Sequence, residues 1–476
     1  MNVISFLKYR LEKSPSKTAI VDGERSLTFR ELYDEVVKFS SSLGFVNKDV
    51  ISLISENSIS FIVSYLGIIN SGKIAHLISP EISATSLITQ LRSADPGIII
   101  GSRAIKDNLL KNTSIKTQFF EFNEILSSSN QQQDNFKTND FAYLIYTSGT
   151  TSEPKGVAIT HSMMEFTTKN IVRVLGHTNS DIDVLPLPLY HSFGLGCFHT
   201  SLYVGSTLVL LKNANSLENI LESIKKYKAT TLAAIPATLT KLLKFERNIL
   251  KDYFSNVRLI ITNSTSIPLN TIQTFKEILQ NGNLATYYGL TEASRSTFMI
   301  FDKTSGREGS VGKPAPNVEI KIVSDNNSRE GEIWIRGKNV IKNYWHNPKA
   351  DKSIVDGWLR TGDIGYLDDE NYLFLLGRSD DIINVGGEKV VPHEIEEIVK
   401  QIPGIEDVVA FGVDHEIFGQ TVKLNVVKSK NSNLDKSAIL SYCIKNLEKF
   451  KIPTKIDFVE SIPKTDYGKV KRFMLK

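Results

Sequence analysis

The run Thr147–Val157, TSGTTSEPKGV, constrains this chain more than any other stretch. It follows FAYLIY (141–146), an apolar and aromatic run that reads as a buried strand. Hydroxyls, glycines, a proline and a lysine cannot continue that strand, so the chain breaks there into a polar loop. A strand ending in such a loop is a natural cradle for polyphosphate. Backbone N–H groups converge, glycine permits close approach, and Lys155 adds positive charge. An ordinary surface loop has the same composition, so this stretch alone leaves both readings open. Its spacing is not G-x-x-x-x-G-K-[ST], which excludes a P-loop NTPase as a direct match.

The surroundings of the loop predict an α/β fold. Leu32, Val36, Phe39 and Leu43 fall on one helix face after an LTF lead-in, residues 51–54 and GIII (97–100) read as strands, and residues 59–69 as a buried helix. Beyond the loop, STLVLL (206–211), TTLAAI (230–235) and VRLIIT (257–262) read as strands, separated by helical runs such as SLENILESIKKYK (216–228). Such alternation predicts mostly parallel sheets covered by helices. SSSNQQQDNFKTND (127–140) is too polar to pack and reads as a solvated connector.

After about residue 305 short strands dominate: EIKIV (319–323), EIWIRG (332–337) and a hairpin around DDEN (368–371). The last hundred residues have their own rhythm. A helix starts at Pro392 with Ile395, Ile398, Val399 and Ile402 on one face; strands follow at 407–413 and 421–427, a helix over 435–449, and a strand at 455–460. A chain of 476 residues exceeds one core, and this tail suffices for a small α+β domain beginning near GRSDD (377–381).

Several function classes are excluded early. A net charge of +4 without a basic stripe does not point to nucleic acid. Cys197 and Cys443 are far apart and lack metal-ligand spacing, which predicts a reducing, cytoplasmic setting and no zinc site. No run of about 18 apolar residues is present to span a membrane, and the N-terminal stretch lacks the apolar core of a signal peptide.

Short polar stretches carry the chemistry. PLYHSFG places His191 in a proline- and glycine-flanked loop, where a histidine bonded to backbone is the ordinary alternative. YYGLTEAS (287–294) brings an aromatic able to stack on a base, the hydroxyl of Thr291, and the carboxylate of Glu292, able to hold a magnesium ion bridging phosphates. A helix N-cap would look similar. WLRTGD (358–363) ends in Asp363, a candidate acceptor for both ribose hydroxyls, and PKTDYGKV (463–470) holds Lys469. Each is weak alone, but their order is specific.

That order resembles the adenylate-forming superfamily of acyl-CoA synthetases, luciferases and peptide-synthetase adenylation domains over essentially the whole length. LTFRELYDE, YTSGTTSEPKGV, PLYHSFG, YGLTE, GSVGKPAPNVEIKIV, GEIWIRG, WLRTGDIG, GRSDDIINVGGEKVVPHEIE and IPKTDYGKVKR carry the likeness. The resemblance implies an N-terminal ATP- and acid-binding domain (1–378) with a β-rich subdomain (about 305–377), and a mobile lid (379–476). It implies ATP, Mg2+ and coenzyme A as partners in a two-step reaction. A carboxylate first attacks the α-phosphorus of ATP to give acyl-AMP and pyrophosphate, and a thiol then displaces AMP. Thr147, Ser148, Gly149, Thr150, Thr151 and Lys155 then embrace the phosphates; Tyr288 stacks on adenine, Thr291 bonds the α-phosphate, and Glu292 holds magnesium. Asp363 takes the ribose with help from Arg378, Lys469 bridges the attacking carboxylate and the α-phosphate, Asp380 is the hinge, and Gly386 and Gly387 admit a pantetheine arm.

Departures from the pattern bear on the substrate. Ser152 replaces a usual glycine, and ITNSTSIP (261–268) lacks the usual glycines beside the acyl pocket. IINSGKIAHLISPEI (68–82) follows the pattern loosely. A histidine in the PLYHSFG loop, rather than a nearby aspartate, matches acyl- and aryl-CoA ligases and disfavours a free amino acid. The expected substrate is a small or medium carboxylic acid with CoA as acceptor. The phosphopantetheine of a carrier protein is the second acceptor, and a catalytically inactive nucleotide-binding homologue is the alternative of another class. The acid pocket is expected among residues 190–203, 235–240 and 262–266.

Overall fold

The computed structural model describes residues 2–112, 117–127, 139–147, 154–263, 267–302, 306–324, 328–386, 388–430, 432–464 and 470–475. The packing forms two compact units, residues 1–319 with 335–359, and 320–334 with 360–476. The lid boundary expected at 378/379 falls within the second.

The first unit holds two large sheets. In the nine-stranded sheet, Leu259–Thr262, Thr231–Ala233, Ile182–Leu185, Thr207–Leu210 and Thr18–Asp22 run parallel in that order. Asn283–Leu290 continues the parallel run; Ala293–Phe301 is antiparallel to it, Lys313–Pro314 pairs antiparallel at that edge, and Arg25–Thr28 is antiparallel at the opposite edge. The six-stranded sheet runs Gln118–Glu121, Ile98–Gly101, Val50–Ile54, Ile74–Ile78, Phe141–Thr147, Lys155–Thr160, parallel but for the last pair. Strand Ile98–Gly101, buried along its whole length, shows why its sequence reads as a continuous apolar run. The equally buried Val50–Ile54 and Ile74–Ile78 each carry one polar residue, Ser52 and His76, which meet at 2.9 Å.

The helices follow from their caps and faces. Helix Phe29–Ser41 starts with a reciprocal capping box between Thr28 and Glu31 and buries Leu32, Val36 and Phe39. Helix Ile59–Asn70 is buried almost all round, as its composition requires.

A further five-stranded sheet contains Val318–Val323, Gly331–Gly337, Ile354–Val355, Trp358–Leu367 and Leu373–Arg378. Its last two strands form the expected hairpin, closed by Asp368 and by Asn371 at φ +64°. The C-terminal segment folds around Ile383, Val390, Ile395, Val399, Val422 and Leu424. Its helices are shorter than the apolar spacing predicts: Pro392–Val399 ends before Ile402, and Lys436–Asn446 stops before 449. Strands Ile405–His415 and Gly419–Lys428 pair along their full length.

Candidate active site

The predicted phosphate loop connects two paired strands. Strand Phe141–Thr147 pairs antiparallel with Lys155–Thr160, and Thr147 stands opposite Lys155. Ser148, Gly149, Thr150 and Thr151 lie outside the described residues. The Lys155 ammonium stands 5.7 Å from the centroid of the Tyr344 ring.

A second hairpin carries YGLTE. Asn283–Leu290 pairs with Ala293–Phe301, so Thr291 and Glu292 form its two-residue tip rather than a helix cap. Tyr288 is buried, and its N–H donates to the Thr297 hydroxyl at 3.2 Å. The segment 339–345 fastens this tip to the first hairpin. Asn339 Nδ2 donates to the Ser294 carbonyl (3.1 Å), Ile341 N to the Glu292 carbonyl (2.9 Å), and Trp345 N to the Gly156 carbonyl (2.8 Å). Tyr344 is held between them, and its hydroxyl donates to Glu292 Oε1 at 3.1 Å. Burial, then the Glu292 carboxylate, raises the phenol well above its usual range, so it remains a donor. Lys155, Tyr344 and Glu292 thus form a cation–phenol–carboxylate line that the sequence reading missed. Its only signal was an aromatic pair, Tyr344-Trp345, in an otherwise polar run.

His191 caps helix Ser192–Val204 without a side-chain bond to that helix. Its ring lies 4.8 Å from that of Tyr190, and burial lowers its pKa to about 4, leaving a neutral imidazole near pH 7. Its loop is positioned by Asn57, another residue without a sequence signal. Asn57 Nδ2 donates to the carbonyls of Leu187 (2.8 Å) and Leu211 (2.9 Å), while Oδ1 accepts from Leu189 N (2.8 Å).

Two cavities adjoin helix Ser192–Val204. One, about 440 Å³ with the open solvent at its mouth included, is lined by Asp183, Phe193, Cys197, Thr200, Tyr287 and Arg295 among others. The other, about 330 Å³, is lined by Tyr143, Met163, His199, Ser294, Arg295 and Asn339 among others. Neither is lined by His191 or by residues 235–240, and residues 264–266 lie outside the described set.

In the second unit, Asp363 and Arg378 are cross-strand partners, and Nη1 donates to Oδ1 at 2.8 Å. Asp363 is buried; its N–H donates to the Thr361 hydroxyl (3.0 Å), which itself donates to the Ile333 carbonyl (2.7 Å). Asp380 lies exposed in the 3₁₀ turn Ser379–Asp381. Gly386 turns at φ +61°, with its N–H donating to the Phe418 carbonyl at 2.8 Å. Gly387 and Lys469 lie outside the described residues. Sequence reasoning also missed Glu396. It is buried, and accepts from Arg472 (2.7 Å) and from Ala410 N (2.8 Å).

An α/β unit with a lysine, a phenol and a carboxylate aligned at two hairpin ends, accompanied by a smaller α+β segment, defines an adenylate-forming enzyme. The chain belongs to the AMP-binding enzyme family, whose profile matches residues 7–345, with the AMP-binding enzyme C-terminal domain matching residues 394–469. It is 30% identical to an oxalate–CoA ligase of Arabidopsis thaliana, over 97% of this chain and 95% of the relative. It is 29% identical to a 2-succinylbenzoate–CoA ligase of Listeria innocua, over 99% of this chain and 98% of the relative. Among solved structures it is similar to the o-succinylbenzoate coenzyme A synthetase of Bacillus subtilis in complex with ATP and magnesium ion. That likeness has a TM-score of 0.89 and 26% identity, over 99% of this chain and 98% of the other.

Proposed function

We propose that the chain is an ATP-dependent acid–CoA ligase acting on a small or medium carboxylic acid. The observation that carries the reading is the Lys155–Tyr344–Glu292 line, which sets a cation and a carboxylate at two hairpin ends joined by one phenol. An anionic polyphosphate with its divalent counter-ion needs that pairing of charges. Family membership and relatives named as acid–CoA ligases support the same chemistry.

In the first step a carboxylate oxygen bonds to the α-phosphorus of ATP, the bond to the β-phosphate bridge breaks, and pyrophosphate leaves. In the second step the CoA sulfur bonds to the acyl carbon, AMP departs with the bonding pair, and the thiol proton is released. Thr147, Ser148, Gly149, Thr150, Thr151 and Lys155 bind the β- and γ-phosphates, Tyr288 stacks on adenine, and Thr291 bonds the α-phosphate. Asp363 accepts the ribose hydroxyls while Arg378 fixes its carboxylate, and Lys469 steadies the charge developing at phosphorus. His191, neutral near pH 7, borders the acid. A single carboxylate suits magnesium, which takes its remaining ligands from phosphates and water. Glu292 would hold that ion, which supplies charge neutralisation on the phosphates. The two free cysteines fit a reducing, cytoplasmic setting.

The test is pyrophosphate release from ATP across a panel of carboxylic acids, with CoA or a phosphopantetheinylated carrier protein as acceptor. Acid-dependent release with thioester formation on CoA is expected. Release without any thioester on CoA moves the acceptor to the carrier, and no acid-dependent release overturns the reading.

A further inference from the structure

Arg295 is a buried cation in the first unit, 4% exposed, held at a backbone φ of +54° that side chains adopt only at a cost. Its niche is carved by a neighbour: a Cβ on Gly196 would stand 2.2 Å from Nη2. Nη1 donates to the Ser192 carbonyl (3.0 Å) and the Ser294 hydroxyl (2.7 Å), and Nη2 to the Phe193 carbonyl (3.0 Å). The Tyr287 ring lies 4.8 Å away. A guanidinium has five N–H donors, so donors remain, and every acceptor it has found is neutral.

No counter-charge meets it among the described residues. Burial pushes the Cys197 thiol and the Tyr143 phenol up to about 12, and the His199 imidazole down to about 3, so all three stay neutral. Asp183 lines one of the same cavities, but its oxygens accept from the Ser206 and Thr231 hydroxyls. Asp181 is paired with Arg258 at 2.5 Å. A buried guanidinium without an anion is costly, and both cavities reach it. A carboxylate supplies what is lacking, since its two acceptor oxygens match the planar fork.

We propose that Arg295 determines substrate specificity by binding a second carboxylate, so that the acid is a dicarboxylic acid activated at one end and anchored at the other. This rests on the acid–CoA ligase reading. Arg295 follows Glu292 by three positions along the same hairpin, which places the anchor close to the reacting end and favours a short or medium chain. The competing role is purely structural: the guanidinium ties the first turn of helix Ser192–Val204 to the hairpin. That role is indifferent to which acid is present.

The experiment compares glutaric, adipic and suberic acids with pentanoic, hexanoic and octanoic acids, in kcat/KM for pyrophosphate release by the full chain. The wild type should favour the diacids. Arg295→Met should shift the diacid-to-monoacid ratio by on the order of a hundredfold, with Arg295→Lys retaining part of the preference. The wild-type panel needs no variant, so the proposal stays testable if Arg295→Met does not fold. A wild-type preference for monoacids, or a Met variant that lowers both series equally, overturns the assignment while leaving the ligase reading intact. Absence of release with every acid overturns both.

Discussion

Removing one oxygen atom, in Tyr344→Phe, tests whether the phenol orients the Glu292 carboxylate. The ring stays buried and keeps its place 5.7 Å from Lys155, so packing and the cation contact survive. What disappears is the 3.1 Å bond to Oε1. A bond to a charged acceptor is worth about 1.5–3 kcal/mol. This one is longer than the ~2.5–2.7 Å typical of hydroxyl-to-carboxylate bonds, which favours the lower end. At about 1.4 kcal/mol per decade, the expected loss is roughly tenfold in kcat/KM for adenylation. The assay is initial-rate pyrophosphate release across a magnesium titration, with Glu292→Gln as the floor. The magnesium concentration for half-maximal rate should rise in Tyr344→Phe, while the melting temperature changes little. An unchanged magnesium dependence alongside an inactive Glu292→Gln would show that the phenol does not hold the carboxylate for the metal.

Two further outcomes follow from the proposed lid and from the buried histidines. Asp380→Pro, in the turn closed by Ile382 N to the Ser379 carbonyl (3.4 Å), should preserve acyl-adenylate formation and slow thioester formation. Lys469→Ala should do the reverse when acyl-adenylate is supplied; equal loss of both half-reactions in both folded variants refutes a two-state lid. His76 and His199 are buried, with pKa values lowered by desolvation to about 3, so only the unfolded chain takes up their protons as pH falls below about 6.5. Stability should therefore fall on acidification from about 6.5 toward 4, by about 1 kcal/mol per pH unit for each. Urea midpoints at pH 7.5 and 5 check this, and a flat or rising midpoint at pH 5 contradicts it.

Local patterns carried much of the fold. Strands such as Ile98–Gly101 and Leu259–Thr262 were legible because burial on both faces favours an apolar run. Helix Phe29–Ser41 was legible because its apolar residues keep helical spacing. Long-range polar pairing was not. Glu396 looks like any acid on a helix until Arg472, distant in sequence, meets it inside the C-terminal core. Asn57 resembles a loop residue, yet it bonds backbone at three positions far along the chain. Tyr344 and Arg295 lie beside recognisable stretches but take their meaning from side chains that only tertiary packing brings near. The reading of YYGLTEAS stopped one residue short of the buried guanidinium.

The N-terminal strand Thr18–Asp22 carries a consequence for how the protein is born. Ile20 pairs with Leu208, Arg10 donates to the Tyr203 carbonyl, and Lys17 to the Gly205 carbonyl at 2.7 Å. Thr18–Asp22 can form its hairpin with Arg25–Thr28 at once, but its other edge has no partner until Thr207–Leu210 leaves the ribosome. At about 5–20 residues per second, that wait is roughly 10–40 s. Throughout it a short strand exposes an open hydrogen-bonding edge, the form of surface that recruits other chains. The nine-stranded sheet is therefore completed late in translation, and nascent chains stalled before residue 210 should depend most on chaperones to stay unassociated.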